Sequence, residues 1–283
     1  MNIQVIDNVE RKIASVLIPA IAAANDIRIA VAHVSNDGLK KIMPSMHDAI
    51  SAGATIEFMV GMDTHATDPV AIKKLYDLCQ NTPCASLLCF APKNRNLIYH
   101  PKMYLARDNQ KATAIIGSSN LTRRGLTRNI EANLVIEDHV DTVILSDIYA
   151  TYNRLKFHPD RVIPDEEFLA MFTELCKEEQ AHERKIAKSK DIRELRKSFE
   201  DKVKNLQRPK PTRTDLVGWL ELVYSELPEG RFTNQEIYQF EAEFKRHYPE
   251  NLNIRAKIRQ QLQFLRDLGF IEQISRGVWR KVV

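Results

Sequence analysis

Nowhere in these 283 residues does an apolar run reach the roughly 18 residues that a membrane-spanning helix needs, so no span is expected. The opening stretch, MNIQVIDNVERK, lacks a basic segment followed by an apolar stretch and a small-residue cleavage site. No secretion signal is therefore expected, and the chain reads as cytoplasmic. Cysteine is scarce: Cys79, Cys84 and Cys89 stand five apart and Cys176 stands alone. That is not Cys-x-x-Cys spacing, and no histidine pair completes a zinc set, so reduced thiols are expected rather than a metal centre. A charge excess is missing too. The formal net charge is only +4, so any contact with nucleic acid must rest on local basic faces. Glycine and proline are absent from residue 166 until Pro209, which excludes a turn-rich structure there. What is present is a hydrophobic content of 44% with 28% charged residues, enough for real cores in a chain long enough for two domains.

Residues 1–165 alternate between β-rich apolar runs and helical patterns. Ile27–Ser35, Thr55–Gly61, Ala85–Ala91, Leu97–Arg107, Thr113–Ile116 and Asn129–Glu137 read as strands. Gly38–Ala52, interrupted by Pro44 and stopped by Gly53, Asp68–Cys79 and Asp141–Phe157 read as helices. Strands alternating with helices imply an α/β domain with a parallel or mixed sheet covered on both faces.

Residues 166–210 carry Ile192, Leu195, Phe199, Val203 and Leu206 at a spacing of three to four, which predicts at least one long helix. It can be an amphipathic linker packed on either neighbour or a short coiled-coil seam. The basic run RPKPTR, Arg208–Arg213, marks a boundary. Residues 211–283 then read as three helices and a hairpin. A helix capped by Thr214 or Asp215 runs through Glu226, a second follows Phe232-Thr233, and a third spans Ile254–Leu268 and ends at Gly269. Phe270–Ile274 and Val278–Val282 form the hairpin around Ser275-Arg276-Gly277. That order describes a winged helix.

The densest chemistry lies in Tyr99–Glu131, YHPKMYLARDNQKATAIIGSSNLTRRGLTRNIE. His100 and Lys102 form a His-x-Lys pair, Gly117-Ser118-Ser119-Asn120 a polar turn, and Glu131 follows Asn120 by eleven residues, with Asn133 close behind. Strands that deliver imidazole, ammonium, hydroxyl, amide and carboxylate to one edge point to a phosphate-handling site. The set resembles the phospholipase D superfamily motif: histidine-x-lysine, then glycine-serine-x-asparagine, with the downstream acid of its nuclease members. The resemblance covers somewhat over half of the chain and implies the fold of residues 1–157.

On that resemblance the His100 imidazole attacks phosphorus and forms a phosphohistidine, which splits one hard displacement into two. Lys102 neutralises non-bridging oxygens, Asn120 donates to them, and Ser118 helps to position them. Glu131 fixes the histidine tautomer and supports its positive charge. No metal or other cofactor is required by this inventory. The family's aspartate, five residues beyond the lysine, is Arg107 here, with Asp108 one later and unassigned. The family mechanism uses two histidines, one as nucleophile and one as acid for the leaving group. One motif per chain therefore implies a homodimer whose two copies of His100 share a composite site. Ser119 reads as a turn residue and His33, inside an apolar strand, as structural. His65 and His158 are given no role. Arg123, Arg124 and Arg128 can rim the site against phosphates or serve only as solvated charge.

The superfamily spans lipases, transferases and nucleases, so the substrate must be read elsewhere. The third helix of the winged domain carries Arg255, Lys257, Arg259, Gln260, Gln261, Gln263 and Arg266 on faces assigned to solvent, and Arg276, Arg280 and Lys281 sit in or beside the wing. Gln and Arg can read base edges, and Lys and Arg hold phosphates. Of these, Arg255, Lys257, Arg259, Gln260, Gln263 and Arg276 are taken as the DNA-binding set. Thr233–Val282 is similar to the C-terminal winged helix of Dam-replacing proteins and of a related methyl-directed restriction enzyme. That implies duplex DNA binding, with a methylated base as one possible target. The expectation is a metal-independent DNA endonuclease of restriction or phage-defence type. The alternatives are a nuclease subunit working with a helicase or methyltransferase, a phosphodiesterase acting on something other than DNA, and a DNA-binding regulator that keeps the first domain as a dimerisation scaffold.

Overall fold

A computed structural model describes residues 1–91, 97–187, 189–206 and 211–282. The basic Arg208-Pro209-Lys210 stretch expected to mark a boundary lies outside the described residues. The chain divides into two compact units, 1–195 and 196–283.

The first unit runs β1 (Asn2–Ile6), α1 (Ala14–Ala22), β2 (Asp26–Val31), α2 (Asn36–Ser51), β3 (Thr55–Gly61), α3 (Pro69–Gln80), β4 (Ala85–Phe90), β5 (Lys102–Arg107), β6 (Lys111–Gly117), α4 (Arg123–Thr127), β7 (Asn133–His139), α5 (Val143–Lys156), β8 (Arg161–Val162) and α6 (Glu166–Ala187). The strands form one mixed sheet in the order β1-β7-β6-β5-β2-β3-β4-β8. The pairs β2–β3 and β3–β4 are parallel, and the remaining pairs are antiparallel. Successive strand residues point to opposite faces. Ile27, Ile29, Val31, Phe58, Val60, Tyr104 and Ile115 join one core with Leu17, Ile21, Leu39 and Ile42 of α1 and α2. Ala30, Met59, Met103, Leu105, Ala114 and Ile136 join a second core beneath Leu145, Ile148 and Tyr152 of α5. Burial on both faces explains why β2 and β3 read as continuous apolar runs rather than alternating ones.

The expected helices form with small shifts. Pro44 does not interrupt α2, which continues through it. The hydrogen bond a proline forfeits falls on the carbonyl of Lys40, an exposed residue that water can satisfy. Ser35 caps α2 by accepting from the Gly38 N–H at 3.1 Å, and Asp68 caps α3 through Val70 at 2.9 Å. The strand expected from Leu97 begins only at Lys102, and the one expected from Asn129 begins at Asn133. Strands β1 and β8 pair at the two edges of the sheet and were not read from the sequence. Within the 166–210 stretch, α6 buries Leu169, Phe172 and Cys176, and Lys73 of α3 approaches Glu166. A further helix, α7 (Lys190–Lys204), has no buried residue, and its Leu195 and Phe199 are exposed.

The second unit holds α8 (Trp219–Ser225), β9 (Arg231–Thr233), α9 (Asn234–Tyr238), α10 (Glu241–His247), α11 (Ile254–Asp267), β10 (Ile271–Ser275) and β11 (Val278–Lys281). Its sheet order is β10-β11-β9, a wing closed by a third strand. The first helix starts later than expected: Thr212 and Asp215 cap only a short 3-10 turn, and Gly218, at φ 61°, separates that turn from α8. Thr233 and Glu236 form a capping box at α9. Ile254, Ile258, Leu262 and Leu265 of α11 pack with Val223, Phe232, Phe244 and Trp279.

Candidate active site

Strand register builds the site. β2 and β5 pair antiparallel with Val31 opposite Lys102, and the Ala32 N–H bonds the Pro101 carbonyl at 2.9 Å. Lys102 is buried, while His100, two residues before the start of β5, is exposed. The Lys102 ammonium donates to His100 Nδ1 at 2.7 Å and to the His100 carbonyl at 3.0 Å. A charged ammonium has no lone pair to offer, so Nδ1 is the acceptor and the neutral ring carries its proton on Nε2. Burial lowers the Lys102 pKa, and the Glu131 carboxylate pulls it back up.

The Gly117–Asn120 turn is held from beneath. A Cβ on Gly117 would lie 2.3 Å from the Ala132 carbonyl, so only glycine permits β6 and β7 to approach there. Ser119 is fully buried. Its N–H donates to Asn133 Oδ1 at 3.2 Å, its hydroxyl donates to the Gly125 carbonyl at 3.0 Å and accepts from Asn133 Nδ2 at 2.9 Å, and its carbonyl accepts from Tyr104. Ser119 is thus the structural turn residue the sequence indicated. Asn8, with φ 66°, donates to the Gly125 carbonyl at 2.7 Å and accepts from the Ile13 N–H at 2.9 Å, tying β1 and α1 to the same turn. Asn120 Oδ1 accepts from the His33 N–H at 3.0 Å. That bond leaves the Asn120 amide nitrogen as the group free to donate to an anion.

Ser118 donates its hydroxyl to Glu131 Oε2 and accepts the Ala132 N–H at 2.9 Å, and Asn129 donates to Glu131 Oε1 at 3.1 Å. His100, Lys102, Ser118, Asn120 and Glu131 therefore gather where β5, β6 and β7 meet. The Glu131 carboxylate is engaged by Ser118 rather than by the His100 ring. Arg107, in place of the family aspartate, donates to Asp26 at 2.8 Å and lies against Tyr149, far along β5 from His100. Asp108 accepts the Gln110 and Lys111 N–H groups at 2.7 Å, which makes it a turn residue. Arg123 and Arg124 of α4, and Arg128 after it, are exposed, and Arg123 lines a surface cleft with Lys40 and Lys41.

His33, read from the sequence as structural, lies beside the candidate site. Its ring stands 5.9 Å from that of His100, edge-on at 71°. The only signal was an imidazole near the end of an apolar strand. The pairing that brings this strand against the one leading out of His100 is a tertiary fact. Among the described residues, no group of three or more His, Cys, Asp or Glu side chains comes together as a metal-binding set.

In the second unit, Arg255 bonds Glu241 at 2.6 Å, Lys257 bonds Gln260 at 2.7 Å, and Arg259 bonds the Tyr238 hydroxyl at 3.0 Å. Gln263 and Arg276 are exposed. Gln261, assigned to a solvent face from the sequence, is buried at 3% exposure on the core side of α11.

Residues 17–155 match the family described as Cardiolipin synthase, PLD-like domain. Residues 215–281 match the Dam-replacing HTH domain. Among solved structures, the chain is similar to NucT from Helicobacter pylori, at 17% identity and TM-score 0.44, over 55% of this chain and 95% of that one. It is similar to Nuc from Salmonella typhimurium, a phospholipase D family member, at 21% identity and TM-score 0.40, over 55% and 91%. A phosphatidylserine synthase from Haemophilus influenzae aligns at 11% identity and TM-score 0.47, over 66% and 47%. No helix among the described residues is long and apolar enough to cross a membrane. Residues 17–155 are a PLD-like domain, and the chain joins it to a Dam-replacing HTH domain with a small three-stranded sheet.

Proposed function

We propose that the chain is a DNA endonuclease of restriction or phage-defence type. Its PLD-like domain breaks phosphodiesters through a phosphohistidine on His100, without a metal, and its winged helix chooses the DNA. The observation that carries this reading is the convergence of His100, Lys102, Ser118, Asn120 and Glu131 on one sheet edge of a chain that also holds a DNA-reading type of domain. Incoming phosphate draws the Lys102 ammonium from His100 Nδ1 to its own oxygens. The ring proton then moves to Nδ1, and Nε2 is freed to attack. The Asn120 amide, aimed by His33, donates to the same oxygens.

A second copy of His100, from a second chain, protonates the leaving oxygen. An apolar surface beside the site favours that pairing. Val5 on edge strand β1 and its cross-strand neighbour Leu134 are exposed, as is Ile3 two residues earlier, and Ile130 next to Glu131 is 96% exposed. In the winged helix, Arg255, Arg259, Gln263 and Arg276 are the exposed candidates for DNA contact. Arg255, Lys257, Arg259 and Gln260 contribute after exchanging the contacts they now make.

The test is plasmid cleavage in EDTA by wild type and His100→Ala. Loss of wild-type cutting in EDTA removes the metal-independent mechanism, and continued cutting by His100→Ala removes the site.

A further inference from the structure

His100 stands outside the strands, so its ring is aimed by what holds the backbone on either side. After it, the Pro101 carbonyl accepts the Ala32 N–H at 2.9 Å, and Lys102 enters β5. Before it comes Tyr99, which is 9% exposed although Leu97 and Ile98 behind it are exposed. The Tyr99 ring is therefore the nearest buried attachment on that side. It stacks on Phe90, with centroids 4.6 Å apart and planes 20° from parallel. Phe90 is the last residue of β4, and strands on both sides hold its backbone. It pairs with Gly61 of β3 and with Arg161 of β8, and its carbonyl accepts the Met62 N–H at 3.1 Å. Phe90 also meets the His158 ring, 5.2 Å away.

We propose that Tyr99 and Phe90 are positioning residues for His100: their stack pins the backbone directly before the nucleophile to the end of β4. The proposal rests on His100 being the nucleophile. Attack requires the reacting atoms about 3–3.5 Å apart and aligned, and a misplacement of about 1 Å can cost about 10²-fold. Lys102 holds His100 through Nδ1 and the carbonyl. In the reading above its ammonium leaves Nδ1 when phosphate arrives. During attack the ring then keeps its place through the backbone, which Pro101 fixes on one side and Tyr99 on the other.

The ring does the holding, not the hydroxyl. The Tyr99 hydroxyl is enclosed and has no hydrogen-bond partner among the described residues. Burial pushes its pKa above the ordinary tyrosine value, while Arg161 pulls it back down. The net shift is upward, so the hydroxyl stays protonated at neutral pH and passes no proton to the site. Phenylalanine can therefore stand in for Tyr99, whereas leucine has no ring to stack.

The test uses full-length protein in excess over bis-p-nitrophenyl phosphate, well below the Tm of every variant. The plateau rate of nitrophenolate release then reports attack by His100. The protein concentration at half-plateau reports binding and the folded fraction. Tyr99→Leu and Phe90→Leu should each lower the plateau by about 10–10²-fold and move the midpoint by less than about threefold. Tyr99→Phe should keep the plateau within about twofold, because it keeps the stack. The double variant Tyr99→Leu with Phe90→Leu should lose no more than about twofold beyond the slower single variant, because either change alone undoes the stack. A wild-type plateau in Tyr99→Leu or in Phe90→Leu overturns the proposal. So does a wild-type plateau with a displaced midpoint, which would show only a loss of folded protein. Losses that multiply in the double variant would deny that the two rings act as one unit. A Tyr99→Phe protein as slow as Tyr99→Leu would assign the effect to the hydroxyl, which also overturns the proposal. If His100→Ala keeps the wild-type plateau, the nucleophile assignment itself has failed, whatever Tyr99 does.

Discussion

Replacing Asn133 by alanine tests whether the turn that carries Ser118 and Asn120 is held from beneath. Asn133 is 2% exposed, and its amide meets Ser119 twice: Oδ1 accepts the backbone N–H at 3.2 Å, and Nδ2 donates to the hydroxyl at 2.9 Å. Its contact with the Ile6 carbonyl, at 3.5 Å, adds little. Alanine leaves the Ser119 N–H buried without a partner, which costs about 1–3 kcal/mol. The Ser119 hydroxyl keeps its bond to Gly125, so its loss is the smaller one. A total of about 2–3 kcal/mol corresponds to a drop in Tm of roughly 4–12 °C for a unit of this size. Plasmid cleavage well below the new Tm should fall by more than the stability loss explains, because the residues on either side of Ser119 lose their footing. Asn133→Asp should be worse than alanine at neutral pH, since ionising a carboxylate at a buried position is costly, and should recover as the carboxylate is protonated. A calorimetric Tm for Asn133→Ala within 1 °C of wild type, with unchanged cleavage, would show that the turn does not depend on this amide.

Three further outcomes follow from the same contacts. Arg107→Ala should lower stability by no more than about 1 kcal/mol, as expected for a partly exposed ion pair, and should leave plasmid cleavage intact; a large loss of cutting would mean that Arg107 acts in the site. Asp108→Asn should lower the Tm slightly and only above the carboxylate range. The folded pKa of Asp108 is depressed by the Lys111 and Gln110 N–H groups, so its stabilising effect is present at neutral pH and lost as pH falls through that range; equal Tm differences at pH 3 and pH 7 would contradict this. Val5→Glu together with Leu134→Glu should halve the mass seen by light scattering and reduce cleavage with it, whereas a monomer of full activity would dismiss the shared site.

The parts legible in the sequence are those set by local physics. Thr55–Gly61 forms the strand expected of it because every second residue of an apolar run finds a core on each face. The Asp68 cap and the Thr233 capping box stand where the residue types put them. The candidate site was legible for a related reason: motif spacing places His100 and Lys102 at the mouth of one strand and Gly117–Asn120 at the end of the next. What that spacing could not give is which side chains pair once the strands are side by side. Glu131 reads as the partner of an imidazole, yet Ser118, brought opposite by the β6–β7 register, takes the carboxylate first.

Long-range pairing accounts for the rest. Strand β1 joins β7 across 130 residues of sequence, and no local pattern in NIQVI announces that partner. Asn8, just beyond it, looks like any loop asparagine until its left-handed backbone carries its amide to Gly125. The neighbourhood of His33 is hidden in the same way. Apolar neighbours make an imidazole look like core, and that is what burial of its Nδ1 reflects. The antiparallel register of β2 and β5 brings that ring to 5.9 Å from the ring of His100, 67 residues downstream. Counting His-x-Lys motifs therefore undercounts imidazoles. A chain with one motif brings a second imidazole to 5.9 Å from the first, through a pairing that only the folded sheet makes.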